Sequence, residues 1–168
     1  MKTSMKRIIA FLLVVVSLTL TLASCTPDLT PSVHIGFKPN GNAGEYNESI
    51  QDLLVGKEFH GIVKITLLTD KKASEEYQVV IELPKTKEVE ATRSGGLKAD
   101  SIVVDGDKSI LTFTMKGSKN AKEEPIHFKG TPVGEGEVVI NVMIYDKDGL
   151  ALTAGYDKTI KFVYELED

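Results

Sequence analysis

The chain has 168 residues and a formal net charge of −4, a length that suits one globular domain with a short leader. An acidic chain is a poor candidate for nucleic-acid binding, which depends on lysine and arginine side chains that neutralise phosphates. Cys25 is the single cysteine, so a disulfide within the chain is excluded.

Residues 1–24 have the layout of a secretory signal. Lys2, Lys6 and Arg7 form a positive head, and Ile8 to Leu22 form an apolar core of fifteen residues. This core is shorter than the roughly 20 apolar residues that a membrane-spanning helix needs. The alternative, a buried core helix, fits the terminal position and the charge order less well. We therefore predict that the segment directs export.

The end of this signal, Leu22-Ala23-Ser24-Cys25, resembles the lipobox of bacterial lipoproteins. The resemblance implies cleavage between Ser24 and Cys25, a diacylglycerol on the Cys25 thiol, and acyl chains such as palmitate. It also implies attachment to the bacterial cell envelope through the membrane, and Thr26 in place of aspartate resembles the sorting pattern of the outer membrane. Removal of residues 1–24 would change the formal charge to −7, because that segment holds three basic and no acidic side chains.

Residues 25–32 follow as the lipidated cysteine and a proline-containing tether, and residues 33–168 are predicted to form one domain. From Val33 onward, apolar side chains recur at every second residue, which is the period of a half-buried strand. Two runs flank Gly106-Asp107, a hairpin signal. The pattern predicts six to eight strands, in residues 32–39, 58–70, 76–84, 100–117, 137–149 and 158–166.

One stretch departs from this period. In YNESIQDLLVGK, Ile50, Leu53 and Leu54 have helical spacing, Asn47 could cap the start and Gly56 the end. The stretch predicts a short helix, with a loop that tucks its apolar residues under a sheet as the alternative.

The pattern of residues 126–165 resembles the last strands of bacterial immunoglobulin-like and cadherin-like modules. The resemblance implies an all-β, immunoglobulin-like antiparallel β-sandwich, in a module that binds proteins or glycans or acts as a spacer. The residues that carry it are Phe128, Gly130, Thr131, Pro132, Gly136, Asp148 and Gly149. The predicted core contains Val63, Ile65, Ile81, Phe113, Val138, Ile140, Val142, Ile144, Ile160 and Phe162.

Two aspartate pairs are weak calcium candidates, Asp105 with Asp107 and Asp146 with Asp148, since calcium takes six to eight oxygen ligands. Their spacing does not match an EF-hand loop, because Ile144 would occupy its first ligand position. Aspartate and glycine at these places are also ordinary hairpin-turn residues, so we predict turns and no bound metal.

The three histidines, His34, His60 and His127, lie far apart and form no short ligand motif. A zinc site assembled from all three in space is the alternative to three separate surface histidines. Lys116, Lys119 and Lys122 form a small basic loop that we expect to be solvated rather than bound to nucleic acid.

The sequence lacks a Gly-x-Ser-x-Gly elbow and a phosphate-binding glycine loop, so we predict no enzyme activity and no cofactor. Tyr46 and Tyr156 fall in predicted loops and could stack on sugar rings. Asp100-Ser101-Ile102 resembles the three-residue O-glycosylation motif of Bacteroidota, whose use depends on the source organism.

The leading hypothesis is a non-enzymatic protein-binding or structural module of the cell envelope. It would contact another envelope protein through a sheet edge or through the long loops predicted at residues 39–56 and 115–126. The alternative is glycan capture in a nutrient-uptake system through Tyr46 and Tyr156. An enzyme with a site assembled from dispersed residues is the third possibility.

Overall fold

The computed structural model describes residues 29–38, 44–50, 52–69, 75–120, 122–153 and 155–165. The predicted signal, with Ser24 and Cys25, lies outside these residues. Within them the chain forms strands and a single 3-10 turn at Ser94–Gly96. The strands are β1 (Leu29–Phe37), β2 (Asp52–Leu54), β3 (Phe59–Thr69), β4 (Glu76–Pro84), β5 (Thr86–Arg93), β6 (Leu97–Lys98), β7 (Ser101–Asp105), β8 (Lys108–Lys116), β9 (Glu123–Pro132), β10 (Gly136–Tyr145) and β11 (Tyr156–Val163).

The strands form two sheets. The five-stranded sheet has the order β1-β3-β9-β5-β6, and the six-stranded sheet has the order β2-β11-β10-β4-β8-β7. Every pair is antiparallel except β2 with β11, which is parallel. The orders β1-β3-β9-β5 and β4-β10-β11 match strands A-B-E-D and C-F-G of a constant-type immunoglobulin domain, with β6 to β8 added between D and E. The fold is therefore an immunoglobulin-like β-sandwich, as predicted.

The core lies between the two sheets and follows the period-two pattern. In β3, for example, Phe59, Val63 and Ile65 are buried, whereas Lys64 between them is half-buried on the opposite face. Nine of the ten predicted core residues are buried, and the tenth, Val138, is half-buried and packs against the others. The assignment of inward faces is thus confirmed.

Four phenylalanines fill one end of this core. The ring of Phe128 lies edge-on to Phe37 and to Phe59, with centroids 6.1 Å apart in both pairs, and Phe59 also contacts Phe162 at 6.1 Å. Gly61 pairs with Phe128 across β3 and β9, and the aromatic ring occupies the space above it. A residue with no side chain is required there for that reason.

The predicted helix near Asn47 to Gly56 is wrong. Residues 52–54 form β2, which pairs with the end of β11 and buries Leu53 in the core. The side chain of Asn47 accepts a hydrogen bond from the backbone N–H of Ser49 at 2.7 Å, so it supports a turn rather than a helix start. Three apolar residues fit a short strand as well as one turn of helix. A strand forms here because the backbone N–H and C=O groups of β11 are free to pair with it.

The first strand also begins earlier than predicted. β1 starts at Leu29, and residues 29–32, which the sequence predicts as part of the tether, pair with residues 66–69 of β3. The predicted long loops shorten correspondingly, because residues 115–116 and 123–126 belong to β8 and β9. Among the described residues, no helix is both long enough and apolar enough to cross a membrane.

Candidate functional site

The outermost strand of the six-stranded sheet, β7, has an open edge. Among the described residues it pairs with β8 alone, through a hairpin whose turn places Gly106 at a φ of 59°. All of its residues are exposed, including the apolar side chains of Ile102, Val103 and Val104, with exposed fractions of 43, 51 and 57%. We name residues Ser101–Asp105 the β7 edge.

Both faces of β7 are exposed because the opposing sheet ends before reaching it. Ile102 and Val104 pair with Leu111 and Ser109 of β8, and cross-strand partners point to the same face of a sheet. Leu111 and Ser109 are fully buried, so Ile102 and Val104 lie on the inner face of the sheet. The last strand of the five-stranded sheet has only two residues, Leu97–Lys98, and leaves this part of the inner face uncovered.

The start of β7 is held firmly against β8. The backbone N–H of Asp100 donates to the carbonyl of Thr112 at 2.8 Å, and the Asp100 carboxylate accepts a hydrogen bond from the N–H of Thr114. Natural edge strands are commonly protected by lysine, proline or a bulge, because their free backbone groups invite pairing. Residues 101–105 contain neither lysine nor proline, and their register with β8 is regular. The β7 edge is therefore a regularly paired strand whose outer side is not covered by any described strand.

The β1 edge of the other sheet is better protected. It contains Pro31, which has no N–H to donate, and its end is covered where Phe37 and Asn47 exchange two backbone hydrogen bonds of 3.1 and 2.8 Å. The backbone of Asn47 passes within 3.4 Å of the position that a Cβ on Gly36 would occupy. It thereby brings Tyr46 onto the outer face of the five-stranded sheet.

Tyr46 packs on His127 of β9. The Tyr46 hydroxyl lies 3.1 Å from Nδ1 of His127, their ring centroids are 5.5 Å apart, and the Lys38 ammonium lies 5.1 Å from the tyrosine ring. Burial lowers the pKa of His127, with a further contribution from Lys38, and burial also raises the pKa of Tyr46. Burial thus disfavours the charged form of both side chains, which lie beside a hollow of about 100 Å³ that His60 and Lys129 also line.

The charged groups around this hollow pair with one another. Glu58 lies 2.9 Å from Nε2 of His60 and 3.3 Å from the Lys129 ammonium, which also lies 3.4 Å from Glu90. The hydrogen bond from His60, followed by the Lys129 contacts, lowers the pKa of Glu58. Hydrogen bonds to Glu58 and Glu90 raise the pKa of Lys129. These contacts stabilise the charged forms and leave each carboxylate with a cationic neighbour.

Tyr156 lies elsewhere, at the start of β11. Its hydroxyl donates a hydrogen bond of 3.0 Å to the carbonyl of Pro31, and it lines a hollow of about 250 Å³ together with His34, Glu48 and Lys158. The two tyrosines of the glycan hypothesis therefore line different hollows. The hydroxyl of each is already engaged within the protein.

The calcium and zinc candidates form separate structural contacts. One carboxylate oxygen of Asp146 accepts hydrogen bonds from the backbone N–H groups of Asp148 and Leu150, at 2.9 and 2.8 Å, which is turn geometry. Asp105 and Asp107 flank the Gly106 turn. His34, His60 and His127 lie on β1, β3 and β9, beside Glu48, Glu58 and Tyr46 respectively. In the part of the chain that the structure describes, no group of three or more histidine, cysteine, aspartate or glutamate residues could hold a metal ion.

The architecture is similar to that of several solved structures. A CARDB domain from Pyrococcus furiosus, solved in complex with di-metal ions, is 14% identical, with 84% of this chain and 100% of that chain covered and a TM-score of 0.46. The major pilin SpaA of Corynebacterium diphtheriae is 15% identical, with 69% of this chain and 31% of the pilin covered and a TM-score of 0.46. A conjugative transposon lipoprotein from Bacteroides eggerthii is 10% identical, with 82% and 98% covered and a TM-score of 0.37.

No family model and no curated protein sequence matches the chain. The assignment of the fold rests on the order and pairing of its strands.

Proposed function

We propose that this chain is a lipid-anchored module of the bacterial cell envelope, without enzymatic activity, that binds another envelope protein through the β7 edge. The observation that carries the proposal is the open edge itself, with five consecutive exposed residues and apolar side chains on both faces. Monomeric proteins rarely leave such an edge unprotected unless it has a partner.

An extended segment of a partner fits the chemistry of this edge. Backbone hydrogen bonds would supply affinity, and alternate side chains of the added strand would contact Ile102 and Val104 on one face and Val103 on the other. The added strand would extend the six-stranded sheet and cover apolar surface that is now exposed. The register between β7 and β8 is regular, so little reorganisation would precede binding.

The anchor part of the proposal is supported by the lipobox resemblance of residues 22–25. A single acyl chain gives only marginal membrane binding, whereas the two or three chains of a lipoprotein cysteine hold firmly. We place the mature protein in the outer membrane because Thr26 follows the cysteine. Mass spectrometry of the native N-terminus tests this part, and an intact Met1 or an unmodified Cys25 would contradict it.

The edge is tested by Val103→Lys, with Val139→Lys as the matched control. Both valines lie on the same outer face of the six-stranded sheet with nearly equal exposed fractions, 51 and 52%, but Val139 is in β10, an interior strand. A lysine on an edge strand opposes pairing, whereas a lysine at an exposed interior position leaves the edge intact. Both variants should unfold within about 0.5 kcal/mol of the parent, as exposed substitutions usually do.

The assay is capture of partners by the lipidated protein from gently solubilised envelopes, with quantitative mass spectrometry. We expect a stoichiometric protein partner that Val103→Lys loses and Val139→Lys retains. Equal capture by the two variants would refute the β7 edge as the binding site. Saturable binding on a glycan array, abolished by Tyr156→Ala, would instead support the alternative of glycan capture in nutrient uptake.

A further inference from the structure

The end of the sandwich at which β1 begins must lie close to the lipid anchor. Only residues 26–28 separate Cys25 from Leu29, the first residue of β1. Four Cα–Cα steps span at most about 14 Å, even when the chain is fully extended. The polar headgroup layer takes up about 5–8 Å of this length, so an anchored domain has little freedom to stand away from the bilayer. This inference rests on the anchor of the proposed function.

The described parts of two connections, β8–β9 and β10–β11, lie at the end of the sandwich where β1 begins. In the five-stranded sheet, β1 begins beside the end of β3, where the N–H of Ser118 donates to the carbonyl of Leu67 at 2.8 Å. In the six-stranded sheet, the hydrogen bond from Tyr156 to Pro31 places the start of β11 at the same end. We name residues 117–120 and 146–153, the described parts of these connections, the anchor-end loops.

The second of these loops presents an apolar side chain on a rigid turn. Leu150 is 66% exposed, the highest fraction among the large apolar residues that the structure describes. Its N–H donates to the Asp146 carboxylate at 2.8 Å, and its carbonyl accepts from the Asp146 N–H at 3.0 Å. Gly149 takes the φ of 79° that this tight turn requires. These hydrogen bonds fix the backbone of Leu150, so its side chain is held outward by the turn.

The charges at this end also permit contact with an acidic membrane surface. Lys119 and Lys147 are exposed on the anchor-end loops, together with Asp148, while the Asp146 carboxylate faces its own turn. Two carboxylates on the adjoining strands have cationic neighbours. Glu123 lies 3.7 Å from Lys64, and Glu76 lies 3.8 Å from Lys116. The mature chain would carry −7 overall, and at this end Lys119 and Lys147 offset part of that negative charge.

We propose that the anchor-end loops form a second membrane contact, with Leu150 in the headgroup layer, and that the anchored domain stands upright on this end. One leucine adds only a modest apolar contribution, but the short tether holds it at the surface at high effective concentration. The hairpin turn at Gly106 then points away from the membrane, and β7 runs outward from Ser101. A strand added at the β7 edge would consequently run along the membrane normal.

The chain permits a clean labelling experiment because Cys25 is its single cysteine. In the lipidated protein that sulfur would be a thioether, so an introduced cysteine would be the one free thiol. Leu150→Cys and Val133→Cys are labelled with a polarity-sensitive fluorophore, in lipidated protein reconstituted into phosphatidylethanolamine–phosphatidylglycerol vesicles. Val133 is the control, because it is 43% exposed in the turn between β9 and β10 at the opposite end.

We expect a blue shift and a loss of fluorescence with spin-labelled lipids at residue 150, and neither at residue 133. Equal or absent quenching at both positions, in protein that floats with the vesicles, would overturn the orientation and leave the anchor intact. Quenching at residue 133 alone would show the inverted orientation and also overturn it. Failure of the lipidated protein to float at all would overturn the anchor and this inference together.

Discussion

Replacement of Gly61 by alanine adds one methyl group where the core has no room for it. The new Cβ would lie 2.3 Å from Cζ and 2.4 Å from Cε2 of Phe128, whereas carbon atoms in contact prefer about 3.5–4.0 Å. The phenylalanine is only 2% exposed, so its ring cannot turn out into solvent. The Phe128 ring or the backbone of β3 must therefore move by more than about 1 Å, which is roughly the difference between these distances and a normal contact distance.

The cost follows from what surrounds the ring. Phe37 and Phe59 both lie edge-on to Phe128 with centroids 6.1 Å away, and a displaced ring would push into one of them. Overpacking of this kind costs about 1–3 kcal/mol, and the tight contact places Gly61→Ala near 2 kcal/mol or above. For a domain of this size that corresponds to a melting temperature lower by roughly 6–10 °C.

The assay is thermal and urea unfolding of residues 26–168, produced without the lipid anchor, followed by circular dichroism. Gly134→Ala is the matched control, because a Cβ at that position would have no heavy atom within 4 Å. Gly134→Ala should unfold within about 0.5 kcal/mol of the parent. If Gly61→Ala unfolded with the same midpoint as Gly134→Ala, the packing of Phe128 over Gly61 would be wrong. Phe128→Leu in the Gly61→Ala background should lose less than the sum of the single changes, since it removes the clash.

Two further changes test the core and the His127 site. Ile140→Asp should cost several kcal/mol because it buries a charge without a partner, whereas Val139→Asp on the exposed face should cost little. Equal midpoints in urea would contradict the assignment of Ile140 to the inner face and Val139 to the outer face of β10. The pKa of His127 is lowered by burial, so the unfolded chain binds more protons than the folded one, and stability should fall as pH falls through about 6.5. Urea unfolding between about pH 8 and pH 5 should show this loss reduced in His127→Gln, and an NMR titration with a midpoint at or above 6.5 would contradict the direction.

Much of the sandwich could be predicted because its long strands keep a strict period of two. In β10, Ile140, Val142 and Ile144 point inward and are fully buried, as the recurrence of large aliphatic residues at every second position indicated. The turn at Gly106 could be predicted for a different reason. Its backbone conformation, with a φ of 59°, favours glycine, so the residue type itself marks the place.

The sequence does not predict strand β5, because a β-bulge interrupts its pairing with β9. Its register with β9 shifts between Lys87 and Glu90, and Glu88 within the bulge has a φ of 54°. An extra residue in a strand reverses the face of every residue that follows, so the period of two disappears from the sequence. Gly130 of β9 faces this part of β5 closely, since a Cβ there would lie 2.4 Å from a methyl carbon of Thr86 and 3.2 Å from the carbonyl oxygen of Lys87. The need for glycine at position 130 is evident only once the positions of both strands are known.

The candidate site was still less accessible to sequence reasoning, because exposure depends on where the opposing sheet stops. Ile102 and Leu111 are aliphatic partners in one hairpin, yet Leu111 is fully buried and Ile102 is 43% exposed. The difference arises because β6 has two residues and does not extend over β7. The direction of β7 relative to the anchor likewise depends on which end of the sandwich receives the first strand. If the short link from Cys25 to Leu29 fixes that end against the membrane, the binding edge and the anchor act together, and a partner strand must approach with its axis along the membrane normal.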